Sequence, residues 1–192
     1  MFHLIYLAAG YSRRFGSNKL LYPVGGRPMY RHLLDRLTGI AESDSFRADL
    51  TVVTQYAEIA DSVSGGPARA VLNEDPSRGI SSSLQTGIGF LQRTGALKDE
   101  DYLVFFTADQ PYLTRETVEG FLNAVELHRP PLAAVGYAGE MMNPCAFQAA
   151  WVPDLMALSG DRGGRQILRR HPEDVLLFET DSPGELADVD RL

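Results

Sequence analysis

Several features that define common classes of protein are scarce or missing in this sequence. Its 192 residues include one cysteine, which excludes an intramolecular disulfide and favours a location in the reducing cytoplasm. No apolar run approaches the roughly 20 residues needed to span a bilayer, so we expect no membrane segment. With 25 acidic and 18 basic residues the net charge is −7, so we predict no nucleic-acid partner.

Residues typical of zinc and acyl-transfer chemistry are scarce as well. The four histidines lie outside the candidate loops described below, and no His/Cys cluster has the spacing of a zinc site. Surface or structural roles are therefore predicted for His3, His32, His128 and His171. Cys145 has no base that can be identified from the sequence, which favours a small buried residue over a nucleophile.

Apolar segments of strand length alternate with amphipathic segments along the chain. Tyr102–Phe106, continuous in aromatic and branched residues, has the composition of a central strand buried on both faces. Thr114 is predicted to cap a helix, whereas residues 139–144 are interpreted as a turn. The alternation predicts one α/β domain over residues 1–192, built in three layers from a mostly parallel twisted sheet with helices on both faces.

The loop after the first predicted strand is the first candidate site, because ligands of open α/β sheets bind at the carboxyl ends of the strands. Residues 7–21 read LAAGYSRRFGSNKLL. This is no Rossmann fingerprint, because Ser12 replaces the second glycine, and no P-loop, because Lys19 does not directly follow Gly16. The glycines still let backbone N–H groups approach a phosphate, to which Arg14 and Lys19 add positive charge. A solvated basic turn is the alternative.

Carboxylates at two places could hold a cation. Asp109 follows the predicted central strand, where a buried carboxylate needs a metal ion or a basic partner. Mg²⁺ prefers such hard oxygen ligands and usually binds one or two carboxylates together with substrate phosphates. The alternative for Asp109 is a turn residue before Pro111. Further along the chain, Asp188 and Asp190 lie on the same side of a predicted extended segment.

Two further loops have the composition of ligand-binding turns. Residues 73–84 join a strand to a helix start that contains Ser81, Ser82 and Ser83, which suits a ribose, a base or an anion, or only a helix cap. Residues 160–165 can cradle an anion or simply turn the chain. The combination of carboxylates with a few placed cations favours metal-assisted phosphoryl or nucleotidyl chemistry over acyl transfer.

These segments together resemble the MobA-like nucleotidyltransferase family, and in particular its molybdenum cofactor cytidylyltransferases. The family motif Leu-Ala-Ala-Gly-x-Ser-x-Arg-Met-Gly-x-x-Lys-Leu-Leu is similar to residues 7–21, with Phe15 at the usual Met. The resemblance continues through residues 79–84, 108–111, 143–144 and 160–165, and therefore covers almost the whole chain.

The resemblance implies the family's Rossmann-like fold and its reaction. In that reaction the terminal phosphate of molybdopterin, or of the molybdenum cofactor, attacks the α-phosphate of CTP and releases pyrophosphate. It implies Mg²⁺, or Mn²⁺ in its place, as the cofactor, and a molybdenum hydroxylase as the protein that receives the product.

The resemblance also implies roles for particular residues. The catalytic residues would be Arg14, Lys19 and Asp109. The nucleotide would contact Leu7, Ala8, Ala9, Gly10, Ser12, Arg14, Lys19, Ser81, Ser82, Ser83 and Asp109. The metal would be held by Asp109, Asp190 and Asp188, and the pterin would contact Asn143, Asp161 and Arg165.

Two other functions stay open at the level of the sequence. One is a nucleotidyltransferase that uses another nucleotide, such as GTP, or another acceptor. The other is a non-catalytic carrier that passes a cofactor to a molybdenum hydroxylase. The presence of both Asp109 and Asp190 favours the enzyme, because a carrier needs no metal aligned for displacement. Ala9 stands where guanylyl-transferring relatives have glycine, and its methyl group would narrow the space for a purine.

Overall fold

A seven-stranded sheet forms the centre of the molecule, with strand order β5-β4-β1-β6-β8-β7-β9. The computed structural model describes residues 1–10 and 18–189. The strands are β1 Phe2–Ala8, β2 Pro23–Val24, β3 Arg27–Pro28, β4 Ala48–Thr54, β5 Arg69–Leu72, β6 Tyr102–Thr107, β7 Leu132–Tyr137, β8 Glu140–Gln148 and β9 Val175–Glu179. The short strands β2 and β3 pair only with each other.

Helices connect most of the strands of the large sheet. The α-helices are α1 Met29–Ala41, α2 Ala57–Ser62, α3 Ile80–Arg93, α4 Arg115–His128, α5 Val152–Met156 and α6 Arg165–Arg170. Strands β5, β4, β1 and β6 are mutually parallel, as are β7 and β9, whereas β8 runs antiparallel to both of its neighbours. The predicted mostly parallel α/β architecture is therefore confirmed.

Two apolar cores lie on opposite faces of the sheet. Successive side chains of β1 point to opposite faces of the sheet, as expected for a strand. Leu4 and Tyr6 belong to one core, and Ile5 and Leu7 belong to the other. The first core is covered by α1 and α4, and the second by α3, α5 and α6. The result is the predicted three-layer arrangement.

The prediction of a turn over residues 139–144 is wrong for most of that segment. The turn consists of Ala138 and Gly139, both with positive φ, and β8 begins at Glu140. The register of the pairing between β7 and β8 shifts between Ala134 and Val135, so that Asn143 and Pro144 lie in a bulge. Proline cannot donate a ladder hydrogen bond and is tolerated at bulges, which explains how β8 accommodates a residue that reads as a strand breaker.

The predicted helix cap at Thr114 is confirmed. Its side-chain oxygen accepts a hydrogen bond from the Thr117 backbone N–H at 3.2 Å, which satisfies one of the free donors at the start of α4. Within the described residues, no helix combines the length and the apolar character that crossing a bilayer requires.

Candidate active site

A large cavity opens at the carboxyl ends of β1 and β6, where ligands of open α/β sheets bind. Its volume is about 460 Å³. Leu7, Ala9 and Gly10 line it from the first strand and the loop that follows. Thr107 and Asp109 line it from the end of β6. The described part of the candidate loop at residues 7–21 and the candidate carboxylate Asp109 therefore line the same cavity.

An ion pair joins Lys19 and Asp109 inside this cavity. The Lys19 Nζ lies 3.2 Å from the Asp109 Oδ2, and the two side chains are 13% and 29% exposed. Lys19 begins a short 3-10 helix whose N-cap, Asn18, accepts a hydrogen bond from the Leu20 N–H. Leu20 is buried in the core, so the helix cannot shift freely. The positive charge of Lys19 is thereby held in the wall of this cavity.

The segment that carries Asp188 passes beside Asp109. The Val189 N–H donates to the Asp109 carbonyl oxygen at 3.0 Å, and the Gln110 Nε2 donates to the Leu186 carbonyl oxygen at 3.0 Å. Asp188 is exposed at this edge. Carboxylate oxygens are the donors that a hard divalent cation prefers, so Asp109 together with the neighbouring segment that carries Asp188 fits a Mg²⁺ or Mn²⁺ ion.

A second cavity of about 190 Å³ continues from the first. Both cavities are lined by Leu7, Ile80, Thr107 and Asp161. The three residues assigned to the pterin side by resemblance, Asn143, Asp161 and Arg165, all line the second cavity. The structure thus brings them together from the bulge in β8, the loop before α6 and the first turn of α6.

Sequence reasoning missed Arg169, which lines the same second cavity one turn after Arg165. The i, i+4 spacing on a helix was the available signal. Neither arginine forms an ion pair with a residue in the described ranges 1–10 and 18–189. In a protein of net charge −7, two arginines in one small cavity favour an anionic ligand there.

Cys145 lies at the base of the second cavity and is not built to react. The thiol is 1% exposed, and burial raises its pKa to about 12, which the positive charge of Arg165 only partly offsets. It donates to the Met142 carbonyl oxygen at 3.2 Å. A neutral thiol is a poor nucleophile, so this geometry agrees with the structural role predicted for Cys145.

The three serines at the start of α3 have different surroundings. Ser83 lines the larger cavity, whereas Ser81 and Ser82 are buried beside it, with hydroxyls donating to the carbonyls of Arg78 and Gly79. Asn73, which sequence reasoning did not single out, donates through Nδ2 to the hydroxyls of Ser82 and Ser83 at 2.9 and 3.0 Å. Asn73 therefore orients Ser83, the serine that lines the larger cavity.

Some residues named from the sequence are not in the cavity walls or lie outside the described residues. Ala8 is fully buried beneath the larger cavity, and its carbonyl accepts a hydrogen bond from the Thr54 hydroxyl at 3.0 Å. Ser12, Arg14 and Asp190 lie outside the residues that the structure describes. Their proposed contacts with the nucleotide and the metal stay predictions.

The arrangement suits a reaction between two ligands. Two cavities with a shared wall can hold two substrates with their reacting groups at the boundary, which replaces a chance encounter by a fixed geometry. Lysine in one cavity and two arginines in the other can neutralise anionic groups on both ligands. Phosphoryl transfer requires this combination of positioning and charge neutralisation.

Comparison with known proteins assigns the family. Residues 4–175 match the MobA-like NTP transferase domain. The chain belongs to this family. The purine catabolism protein PucB of Bacillus subtilis (strain 168) is 30% identical over 198 residues, covering 97% of this chain and 90% of PucB. The molybdenum cofactor guanylyltransferase of Shewanella putrefaciens is 30% identical over 141 residues, covering 73% of this chain and 65% of that protein.

Solved structures confirm the nucleotidyltransferase fold of this MobA-like family member. Rv0371c from Mycobacterium tuberculosis H37Rv superposes with a TM-score of 0.72 at 22% identity, covering 94% of this chain and 88% of Rv0371c. A structure of Rv0371c in complex with manganese superposes with a TM-score of 0.69 at 19% identity, covering 94% and 89% of the two chains.

Proposed function

We propose that this NTP transferase transfers CMP from CTP to the terminal phosphate of molybdopterin or the molybdenum cofactor and releases pyrophosphate. The observation that carries the proposal is the pair of cavities with a shared wall, one with the Lys19–Asp109 ion pair and the other with Arg165 and Arg169. A donor nucleotide and an anionic acceptor need such adjacent sites. The family and the guanylyltransferase relative support the nucleotidyl chemistry and the acceptor.

The nucleophile in this reaction needs no general base. A phosphate monoester has a second pKa near 6, so at neutral pH it is largely dianionic and already able to attack. This agrees with the cavity walls, because none of their described residues is a histidine and Cys145 is held neutral. The protein therefore contributes by holding two anions at the distance and angle of attack.

On this proposal the larger cavity holds the nucleotide. Lys19 and Arg14 donate to the triphosphate together with the backbone of the loop that begins at Gly10, and Ser83 contacts the nucleoside. Asp109, Asp188 and Asp190 hold Mg²⁺ or Mn²⁺, which when bound offsets the negative charge of the triphosphate. The manganese complex of Rv0371c supports a divalent cation in this fold.

The smaller cavity then holds the acceptor. Arg165 and Arg169 suit its anionic groups, because guanidinium groups bind phosphate oxygens in pairs. Asn143 and Asp161 can bond the polar edge of a pterin, which carries both donors and acceptors. The product would be delivered to a molybdenum hydroxylase.

The test combines the purified protein, Mg²⁺ or Mn²⁺, molybdopterin and each NTP in turn, and measures pyrophosphate release. We expect the highest kcat/KM with CTP. Asp109→Asn keeps the shape of the side chain but removes its charge, so it should lose orders of magnitude in turnover with an unchanged circular dichroism spectrum. Asp99→Asn, at an exposed position away from both cavities, is the matched control.

The other outcomes distinguish the alternatives. Preferred use of GTP would favour the guanylyl transfer that the Shewanella putrefaciens relative is named for. Tight binding of molybdopterin without pyrophosphate release from any NTP would favour a carrier. Full turnover in a folded Asp109→Asn protein would contradict the assignment of Asp109.

A further inference from the structure

Residues 185–189 are anchored to the body of the protein by side chains that line neither cavity. We propose that Glu185 and Gln110 are positioning residues: they hold this segment so that Asp188 reaches the cation site beside Asp109. The inference rests on the proposed function, because it assigns a purpose to the cation ligands named there. Neither residue is required to touch the substrates.

Glu185 forms the first anchor, at the N-terminus of α4. Its Oε2 accepts hydrogen bonds from the Thr114 N–H at 3.3 Å, the Thr114 hydroxyl at 2.9 Å and the Thr117 hydroxyl at 2.6 Å. The positive end of the helix dipole adds to the attraction for a carboxylate at this position. Hydrogen bonds to a charged acceptor are stronger than neutral ones, so one side chain can fix the backbone of residue 185.

Gln110 forms the second anchor. Its side chain is almost fully buried and bridges two segments: Nε2 donates to the Leu186 carbonyl oxygen, and Oε1 accepts from the Thr107 hydroxyl at 3.2 Å. Leu186 itself is fully buried in the core. The end of β6 and the anchored segment are thereby fixed to one another.

The anchors restrict where the Asp188 carboxylate can be. The Val189 N–H donates to the Asp109 carbonyl oxygen, and Asp188 and Asp190 are its direct neighbours in the chain. One residue spans at most about 3.6 Å of chain, so the backbone of Asp188 lies close to Asp109. Without Glu185 and Gln110, ordering this segment around an ion would cost conformational entropy at the moment of binding.

The experiment measures Mn²⁺ binding directly, by the electron paramagnetic resonance signal of free Mn²⁺, with and without a non-hydrolysable CTP analogue. Glu185→Gln keeps the size of the side chain but removes its charge, and we expect about tenfold weaker Mn²⁺ binding. In turnover assays the Mg²⁺ concentration for half-maximal rate should rise while kcat at saturating Mg²⁺ stays close to that of the wild type. Glu126→Gln, at an exposed glutamate of α4, is the matched control.

A second pair of variants keeps the test informative if Glu185→Gln folds poorly. Thr117→Val removes the hydroxyl that bonds Glu185 and should weaken Mn²⁺ binding in the same direction, whereas Thr117→Ser should restore it. A lower melting temperature with unchanged Mn²⁺ affinity in these variants would show a merely structural role and overturn the proposal. Absence of Mn²⁺ binding by the wild type under both conditions would overturn it as well.

The two proposals can fail separately. If the wild type releases no pyrophosphate with any NTP but its Mn²⁺ affinity depends on Glu185, the positioning role stands and the proposed function falls. If the wild type is active with CTP and its Mn²⁺ affinity ignores Glu185, only the positioning role falls.

Discussion

At the scale of single residues, the two opposite charges in the larger cavity come from segments far apart in the chain. Lys19 belongs to the 3-10 helix after the first loop, and Asp109 follows β6, yet their side chains lie 3.2 Å apart. Both side chains line the larger cavity and are partly exposed. The pair can therefore separate when a triphosphate offers Lys19 more negative charge than one carboxylate does.

This geometry predicts a difference between two nucleotides. If the proposed function is right, Lys19→Ala should weaken binding of CTP more than binding of CMP, because the ammonium group would contact the β- and γ-phosphates that CMP lacks. Loss of a charged hydrogen bond costs about 1.5–3 kcal/mol, which corresponds to roughly ten- to a hundredfold in Kd. Calorimetry with both nucleotides measures the difference. Lys98→Ala, at the other lysine of the chain and exposed, is the control, and equal losses for CTP and CMP would contradict the assignment.

Ala9 leads to a prediction about the base. It lines the larger cavity, and its carbonyl accepts a hydrogen bond from the Gln55 Nε2 at 2.8 Å, which fixes the backbone there. An extra methyl group in a filled site costs about 1–3 kcal/mol, so Ala9→Gly should narrow the preference for CTP over GTP by about tenfold or more.

The ratio of kcat/KM for the two nucleotides, in wild type and variant, measures this preference. Ala108→Gly is the control. Ala108 also lines the cavity, but it follows β6 beside Asp109 and is not the position at which we expect the base. A ratio that Ala9→Gly leaves untouched, or a wild type that prefers GTP, would refute the steric explanation.

The sequence pointed to Lys19, Asp109 and Arg165 among the charged residues that line the two cavities, but not to Arg169 or to the hydrogen-bonded Asn73. Asp109 and Lys19 could be found because each follows a recognisable element and carries a charge that needs a partner. The difference between Ser83 and its neighbours could not be predicted, because the hydroxyls of Ser82 and Ser83 both accept a hydrogen bond from Asn73, yet only Ser83 lines the larger cavity. Such differences follow from side-chain direction, which a local pattern of three serines does not contain.

At the scale of elements, the strands and helices with a clear apolar period were predictable, and β8 was not. Glycine, asparagine and proline within a few residues normally indicate a turn. Here the turn takes only Ala138 and Gly139, and the bulge absorbs Asn143 and Pro144 within the strand. The bulge depends on how β8 pairs with β7, so it cannot be predicted before the partner strand is known. The same bulge presents Asn143 to the second cavity.

The start of α3 gives a prediction at this scale. Gly79 has φ +82°, and a Cβ there would lie 2.5 Å from the Gly160 carbonyl oxygen and 2.5 Å from the Asp161 Oδ1. Gly79→Ala should therefore push α3 away from the loop that carries Asp161, between the two cavities. We expect destabilisation beyond the roughly 1–3 kcal/mol of backbone strain alone, together with a higher KM for the acceptor.

Gly95→Ala isolates the contribution of the backbone. Gly95 also has a positive φ, +66°, but a Cβ there would meet nothing within 4 Å. Urea unfolding of both variants measures the difference in free energy. Equal losses of stability in the two would show that the approach of α3 to the loop at 160–161 is unimportant.

At the scale of the whole molecule, a buried charged cluster lies at the amino ends of the strands. His3 is fully buried; its Nδ1 lies 3.0 Å from both carboxylate oxygens of Asp49, and its Nε2 lies 3.2 Å from the Asp101 Oδ2. Asp101 also pairs with the amino group of Met1 at 3.1 Å. Both ring nitrogens face carboxylates, so the ring fits best as a doubly protonated imidazolium.

The cluster predicts how stability depends on pH. Burial lowers the pKa of His3, but hydrogen bonds and charges from Asp49 and Asp101 raise it more, so the net pKa lies above its usual value. A histidine whose pKa is raised in the folded state contributes its full stabilisation at pH values below its unfolded pKa of about 6.5. This contribution to the free energy of unfolding is lost as the pH rises through the folded pKa. His3→Gln should therefore cost about 3 kcal/mol near pH 6 and less toward pH 9.

Urea unfolding of wild type and variant between pH 6 and pH 9 measures this difference. His128→Gln, at an exposed position, should show no such convergence. A gap between wild type and His3→Gln that is constant across the range would exclude titration of His3 as its origin. The predicted structural role of His3 was correct in kind, but its two carboxylate partners depend on strand register, which places His3 beside Asp49.

The order of strands in the sheet has a consequence for how the family diversifies. The larger cavity, which we propose holds the nucleotide, lies where β1 and β6 end, within the parallel half of the sheet. Asn143, Arg165 and Arg169 of the second cavity come from β8 and α6, all later in the chain. The second cavity, which we propose holds the acceptor, is thus formed largely by one continuous stretch of sequence. We expect a graft of residues 132–180 from one family member into another to carry the choice of acceptor with it while the recipient keeps its nucleotide. Donor and acceptor preference are then separately inheritable.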